Sequence, residues 1–152
     1  VCGRDNPHGL RLRLRVDTES SIVRVDLEPD PKHVGFTNVI HGGLIATVAD
    51  EAMGWAATWA SRRFCLCGEM TVRFRRPASP GMKLTFEASV ESSRSRLITT
   101  TYRCLDADGQ ELSSGSGKYV PVSETQHAEV IKTFVEEPES LAAAKILANR
   151  KD

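Results

Sequence analysis

Two neighbouring carboxylates, Asp50 and Glu51, stand in the middle of a stretch that is otherwise apolar and rich in alanine. The stretch runs from Leu44 to Ala60 and contains no proline and no other charged residue. Burying an ionised carboxylate is costly unless it is paired or hydrogen-bonded. A buried acid of this kind is therefore a candidate general acid, general base or nucleophile.

Two glycines, Gly42 and Gly43, precede this stretch and directly follow His41. Glycine lets another group approach the backbone closely, and the first N–H groups of a helix have no partner inside the helix. Such a helix end stabilises a developing negative charge. The sequence therefore predicts an anion-binding helix end and a buried acid within one segment.

The separation between these groups predicts an assembly of at least two chains. Gly42 and Asp50 are eight residues apart, which corresponds to about 12 Å of helix rise. They cannot both contact one reacting group. If both act in one site, a second copy of the helix must supply one of them, which predicts a dimer.

The segment favours a helix because it is rich in alanine and too long for an ordinary strand. Its apolar character nearly all round is typical of a buried helix, and two acids at its middle argue against a membrane span. The flanking segments alternate apolar and polar residues or are rich in β-branched residues, which predicts strands. They cover residues 10–16, 22–27, 70–74, 84–90, 97–105 and 112–122.

These elements predict an α+β fold in which an antiparallel sheet, solvated on one face, wraps around one long central helix. Residues 32–40 lead into the helix as a loop that carries His33, Gly35 and Asn38, and residues 92–96 form a turn. Gly115 and Gly117 interrupt the last strand, which indicates bulges or the close approach of another group.

The tail changes from alternating to helical spacing. Residues 123–126 resemble a capping box ahead of apolar residues at helical spacing. Pro138 interrupts the pattern, and Ser140 opens a short Ala-rich helix. We therefore expect a domain over 1–122 and a helical extension over 123–152, whose role the sequence leaves open.

Composition excludes several classes of function. Lys plus Arg and Asp plus Glu number 20 each, so no net charge points to nucleic acid. Without a membrane-span segment or a signal-peptide pattern, we expect a cytoplasmic protein with no membrane partner. The four cysteines lack the spacing of metal ligands, and we expect thiols that fill small apolar gaps.

The whole pattern resembles the hotdog fold and, within it, the PaaI-type acyl-CoA thioesterases. His41-Gly42-Gly43 with an acid nine residues after the histidine, Asp50, is similar to the HGG…D signature of that family. Segments 69–78 and 2–10 also resemble parts of family members, so the likeness covers about residues 2–122. These features together are more specific for the fold than for the reaction.

The resemblance implies an acyl-CoA thioesterase that needs no metal or other cofactor. The backbone N–H of Gly42 would hold the thioester oxygen, and Asp50 of the facing subunit would act as general base or as nucleophile. Cys67 lies where relatives often have Ser or Thr near the attacking water. The family likeness further implies a homodimer or a dimer of dimers, with the active sites between subunits and acyl-CoA as the ligand.

One position departs from the family pattern. Relatives often carry Asn or Gln six residues before the histidine, whereas Gly35 stands here and the nearest amide is Asn38. His41 would shape the loop at the helix start. The expected substrate-binding residues are Asn38, His41, Gly43 and Cys67.

Two other functions stay open. A hotdog dehydratase uses a buried acid with a histidine, which points to Glu51 and His33. A non-catalytic acyl-CoA-binding protein of the same fold is favoured by the missing amide at position 35. In the thioesterase hypothesis, Glu51 is a hydrogen-bonded or interface acid. For Cys67, a packing role is favoured over a ligand contact. For arginines 73, 75 and 76, a solvated face is favoured over a role in binding the CoA phosphates. The acyl group stays open.

Overall fold

The computed structural model describes residues 1–3, 5–133 and 145–147. Within these ranges the chain forms a six-stranded sheet, a two-stranded ribbon, a long helix and a short one. The strands are β1 (Arg13–Val16), β2 (Val23–Leu27), β3 (Val34–Phe36), β4 (Val39–Ile40), β5 (Cys65–Phe74), β6 (Leu84–Arg94), β7 (Leu97–Leu105) and β8 (Glu111–Pro121). The helices are α1 (Gly42–Ser61) and α2 (Glu124–Ile131).

The main sheet has the strand order β1-β2-β6-β7-β8-β5, and all neighbouring strands are antiparallel. Helix α1 crosses from one side of the sheet to the other. The chain leaves β2, passes through the β3–β4 hairpin and α1, and then forms β5 at the edge of the sheet opposite β1. The helix packs across strands from β2 to β5. The expected antiparallel sheet over one long central helix is confirmed.

The alternation in the strands separates a buried face from a charged one. Val23, Val25 and Phe86 are fully buried and belong to one core cluster with Met53 of the helix. Alanines on the buried side of α1 let the helix approach the sheet closely, because they project only a methyl group. The opposite face of the sheet carries ion pairs, as its polar residues predict.

The segment before α1 is more ordered than the predicted loop. Residues Pro31–His33 form a single 3-10 turn, and β3 pairs with β4 as a small hairpin. Asn38 in its turn has φ +60°, a left-handed conformation that asparagine tolerates. The prediction of a plain loop over 32–40 is therefore wrong, because strands of three and two residues are too short to show alternation.

Several strand ends also differ from the prediction. β1 starts at Arg13 rather than residue 10, because Arg11 has φ +50° and breaks the extended backbone. The predicted turn over 92–96 is shorter, since β6 continues to Arg94 past a bulge between Val90 and Ser92. Strand β5 begins at Cys65, several residues earlier than the alternation indicated.

Helix α2 confirms the predicted helical start of the tail. Ser123 and Gln126 form the expected capping box. His127 of α2 is buried, and its Nδ1 accepts the backbone N–H of Phe64 at 3.2 Å. The predicted break at Pro138 and the helix start at Ser140 lie outside the described residues. Across the described ranges, no helix is long and apolar enough to cross a membrane.

Candidate active site

A histidine caps the start of helix α1 and leaves the backbone N–H of Gly42 without a partner among the described residues. His41 caps the helix, and its Nδ1 accepts the N–H of Gly43 at 2.9 Å. The carbonyl oxygen of His41 accepts the N–H of Leu44, also at 2.9 Å. Among the described residues, the N–H of Gly42 has no hydrogen-bond partner. It therefore lies at the positive end of the helix, where it can bind a negatively charged oxygen.

A cavity of about 550 Å³ opens at this helix end. Its walls come from the β3–β4 hairpin, the first turn of α1 and the segment after β5. Phe36, Val39, Ile45 and Ala78 give it a mainly apolar lining. An apolar pocket of this size with one well-placed polar donor is typical of a small-molecule site.

Phe74, the last residue of β5, covers the start of the helix. A Cβ atom added to Gly42 would lie 3.2 Å from Cζ of this ring. Strand alternation places Phe74 on the inner face, yet its side chain is 56% exposed in one chain. The reason is that β5 extends past the end of the core, so its inner face there lines the cavity.

Gly35 allows the backbone to pass directly beside the histidine cap. A Cβ atom at this position would lie 3.0 Å from Cδ2 and 3.2 Å from Cα of His41. A side chain there would require His41 to shift by a few tenths of an ångström, which gives a physical reason for glycine at this position. Asn38 is exposed in the hairpin turn and is not part of the cavity wall.

Asp50 lies about two turns further along α1. The hydroxyl of Tyr119, on β8, donates to Oδ1 of Asp50 at 2.8 Å and lies 3.2 Å from the backbone oxygen of the same residue. Burial, and then the hydrogen bond to Asp50, raise the pKa of Tyr119 far above its usual range. The hydroxyl therefore stays protonated and acts as a donor to the carboxyl group.

Cys67, on the edge strand β5, lies beside the same carboxyl group. Partial burial, followed by the charge of Asp50, raises the pKa of its thiol. Its side chain is exposed in one chain, so its role as a packing residue or as a ligand contact stays a prediction. Cys104 is buried in the core as expected, and all four cysteines are free thiols.

Glu51 belongs to a different cluster from Asp50. Its Oε1 accepts the indole N–H of Trp55 at 2.9 Å, which confirms the expectation of a hydrogen-bonded acid. Burial, and then Glu51, raise the pKa of the adjacent Cys2 thiol to about 12. His33 is engaged elsewhere, because its Nδ1 accepts the N–H of Asp30 at 3.2 Å in the 3-10 turn. Glu51 and His33, the acid and the histidine of the dehydratase hypothesis, therefore have different hydrogen-bond partners within the chain.

Arginines 73, 75 and 76 are exposed, as the solvated-face interpretation predicts, but Arg75 and Arg76 also line the cavity. Arg75 forms an ion pair with Glu111 at 2.6 Å, and Arg76 donates to Gln110. In the parts of the chain that the structure describes, no three His, Cys, Asp or Glu side chains are grouped as metal ligands would be.

The predicted site residues therefore fall into two groups within one chain. The cap residue His41 and both glycines lie at the start of α1, whereas Asp50 and Cys67 lie near its middle. Tyr119 was not predicted as a site residue. The signal for it was Gly117, which precedes it by two residues on the same face of the strand.

A comparison with protein families identifies the superfamily of this chain. The sequence model of the thioesterase superfamily matches residues 37–113, just over half of the chain, and the chain therefore belongs to this superfamily. A comparison with curated proteins finds no match.

Solved structures share the fold. The PaaI protein of the E. coli phenylacetic acid degradation operon is 18% identical, with a TM-score of 0.69 over 75% of this chain and 81% of that chain. A Streptococcus mutans protein solved with bound acetyl-CoA is 15% identical, with a TM-score of 0.68 over 74% and 89%. A thioesterase superfamily protein is 27% identical, with a TM-score of 0.72 over 79% of this chain and 61% of that chain. The PaaI-type hotdog fold expected from the sequence is confirmed.

Proposed function

We propose that the protein hydrolyses acyl-CoA thioesters, so that acyl-CoA and water give a carboxylic acid and CoA. Membership of the thioesterase superfamily supports this reaction class, and the acetyl-CoA bound to the Streptococcus mutans relative supports the CoA part of the substrate. The observation that carries the proposal is the N–H of Gly42 at the start of α1, which has no hydrogen-bond partner among the described residues and belongs to a residue that lines a mainly apolar cavity of about 550 Å³.

The chemistry follows from the two groups that the helix presents. The N–H of Gly42 binds the thioester carbonyl oxygen and stabilises the negative charge that develops on it. Asp50 takes a proton from a water molecule as the water oxygen attacks the carbonyl carbon. The tetrahedral intermediate then expels the CoA thiolate, which takes up a proton and leaves the carboxylic acid behind.

One site needs both groups, and one chain cannot bring them together. The rise between Gly42 and Asp50 is about 12 Å, so we infer that Asp50 acts on a substrate held by Gly42 of the facing subunit. The functional unit is then a homodimer, and a dimer of dimers would contain two such units. The open edge at β5 supports this assembly, because Leu66 on it is 64% exposed and an unpaired edge strand can pair with another chain.

Around this site, we assign the activity to residues 1–122 and an accessory role to 123–152. His41, Gly43 and Cys67 remain the proposed substrate-side residues, with His41 and Gly43 acting through the shape of the helix start, whereas Asn38 lies outside the cavity wall of one chain. Four free cysteines support a reducing compartment such as the cytoplasm.

The test is a thiol-release assay over short, long and aromatic acyl-CoA thioesters. The wild-type protein should release CoA from at least one of them, and Asp50→Asn should lower turnover by about 10²–10⁴-fold, the usual effect of losing a positioned general base. A non-catalytic protein would bind acyl-CoA without releasing thiol. A dehydratase would convert a 3-hydroxyacyl-CoA with the thioester left intact, and either result would contradict the proposal.

A further inference from the structure

Tyr119 reaches the candidate base from a strand that is distant in sequence. Its hydroxyl donates to Oδ1 of Asp50 at 2.8 Å, and the two residues are 69 positions apart. Tyr119 is only 1% exposed, and its side chain is the largest of the fully buried side chains in the part of the chain that the structure describes. A buried hydroxyl needs a hydrogen-bond partner, and here the carboxyl group of the candidate base is that partner.

A glycine on β8 makes room for the ring of Tyr119. A Cβ atom at Gly117 would lie 2.5 Å from Cε2 of the ring, closer than any real contact allows. On α1, a Cβ atom at Gly54, one turn after Asp50, would lie 3.5 Å from Cε1, which is an ordinary van der Waals contact. Glycine inside a strand lowers stability relative to alanine. The position of the Tyr119 ring therefore explains the glycine at 117, whereas it does not require the glycine at 54.

We propose that Tyr119 is the positioning residue of the thioester hydrolase, because its hydroxyl anchors one carboxylate oxygen of Asp50 and directs the other towards the attacking water. This inference rests on the proposed function. A free aspartate side chain rotates between several conformers, whereas a fixed donor at Oδ1 restricts that rotation. A base that is held in place before the reaction needs less rearrangement to reach the transition state.

Tyr119 acts through Asp50 and does not touch the substrate. Its side chain is enclosed between α1 and the sheet, and its raised pKa keeps the hydroxyl protonated. The Cys67 thiol beside the same carboxyl group also has a raised pKa, caused first by burial and then by Asp50. Both neighbours are therefore neutral donors, and neither competes with Asp50 as the base.

The direct test is Tyr119→Phe, which keeps the ring and removes the hydroxyl. We expect kcat for the best acyl-CoA substrate to fall by about 10- to 100-fold, the effect of losing a hydrogen bond to a charged group, with little change in KM. A purely structural tyrosine would not lower kcat at an unchanged KM.

The matched control is Tyr102→Phe, because Tyr102 is the other of the two tyrosines in the sequence. It is 4% exposed on the neighbouring strand β7, and its hydroxyl donates to Oγ of Ser113 at 3.2 Å. Its removal should lower resistance to urea to a similar extent as Tyr119→Phe while leaving kcat and KM unchanged.

A double variant separates this inference from the proposed function. If Tyr119 acts through Asp50, adding Tyr119→Phe to Asp50→Asn should change kcat little. A Tyr119→Phe protein with wild-type kcat and KM, next to an impaired Asp50→Asn protein, would overturn the inference and leave the proposed function standing. A wild-type chain that releases no thiol would overturn both.

A second variant tests the same contact from its other side. Gly117→Ala forces the ring of Tyr119 to move while keeping the hydroxyl, so kcat should again fall with KM little changed. This variant keeps the inference testable if Tyr119→Phe does not fold. A folded Gly117→Ala protein with wild-type kcat would overturn it.

Discussion

The Nδ1 atom of His41 accepts the backbone N–H of Gly43 at 2.9 Å, at the first turn of helix α1. This bond removes the N–H of Gly43 from the donors that a ligand could use. The neighbouring N–H of Gly42 stays without a partner among the described residues. Two adjacent glycines of similar sequence context therefore have different roles: Gly43 belongs to the helix cap, and Gly42 is the candidate oxyanion donor.

Replacing Gly42 tests this division. Gly42→Pro removes the N–H and still suits the first helical position, so we expect turnover to fall by about 10²–10³-fold, the effect of losing one oxyanion donor. Gly42→Ala keeps the N–H and should retain much more activity. Its methyl group meets the ring of Phe74 at 3.2 Å, but that ring is exposed enough to move. Unchanged turnover in a folded, dimeric Gly42→Pro protein would contradict the assignment.

The two adjacent acids should respond differently to loss of charge. Glu51→Gln keeps an oxygen that can accept the indole N–H of Trp55, so we expect only a small change in kcat. Asp50→Asn keeps the side-chain shape but loses the base. Both variants are measured in the thiol-release assay with the same substrate. An inactive Glu51→Gln protein beside a nearly normal Asp50→Asn protein would favour the dehydratase hypothesis.

Mixed dimers test whether the site is shared between subunits. Gly42→Pro and Asp50→Asn proteins should each be nearly inactive, but a dimer of one chain of each kind contains one intact Gly42–Asp50 pair. Random exchange gives about half mixed dimers with one working site in two, so we expect roughly a quarter of wild-type activity to return after unfolding and refolding the mixture.

Two outcomes would contradict a shared site. The first is that mixing restores no activity although sedimentation shows exchanged dimers. The second is that the wild-type chain is monomeric at micromolar concentration and fully active. In either case Gly42 and Asp50 would not serve one substrate from facing chains.

Glu87 on the outer face of the sheet should make stability depend on acid pH. Arg24 and Arg103, opposite it on β2 and β7, lie 2.9 and 2.8 Å from its oxygens. The hydrogen bond from Arg24, and then that from Arg103, lower the pKa of Glu87 in the folded chain. A lowered folded pKa means that the carboxylate stabilises the fold above the unfolded pKa of about 4.3. That contribution to stability disappears as the pH falls through the lower pKa that Glu87 has in the folded chain.

Glu87→Gln should therefore unfold at lower urea concentration than the wild type near neutral pH. The difference should be small, because both arginines are partly exposed and screened by solvent. It should shrink further at pH values below the unfolded pKa. Urea unfolding curves at both pH values check this, and an equal difference at both would exclude the assigned role of the carboxylate.

The local features of this protein were readable from its residues. Alternation along 22–27 and 84–90 predicted which side chains are buried, because each strand residue faces the side opposite to its neighbour. The length and alanine content of the central stretch predicted α1, and the glycines after His41 predicted its exposed N-terminus. These properties depend on residues within a few positions of one another. Spacing also predicted that Gly42 and Asp50 act from different chains, which remains to be tested.

The contacts around the acid were decided by tertiary structure. Tyr119 meets Asp50 because β8 lies between β7 and β5 beneath the helix, and no local pattern encodes that strand order. The same holds for Phe74, since alternation gives the face of the strand but not whether the core or a cavity lies beneath it. Gly117 hinted at a close approach, but only the packing of β8 under α1 identifies what approaches. Side-chain partners that are distant in sequence follow from how the strands are ordered, and that order is set by the packing of the whole chain.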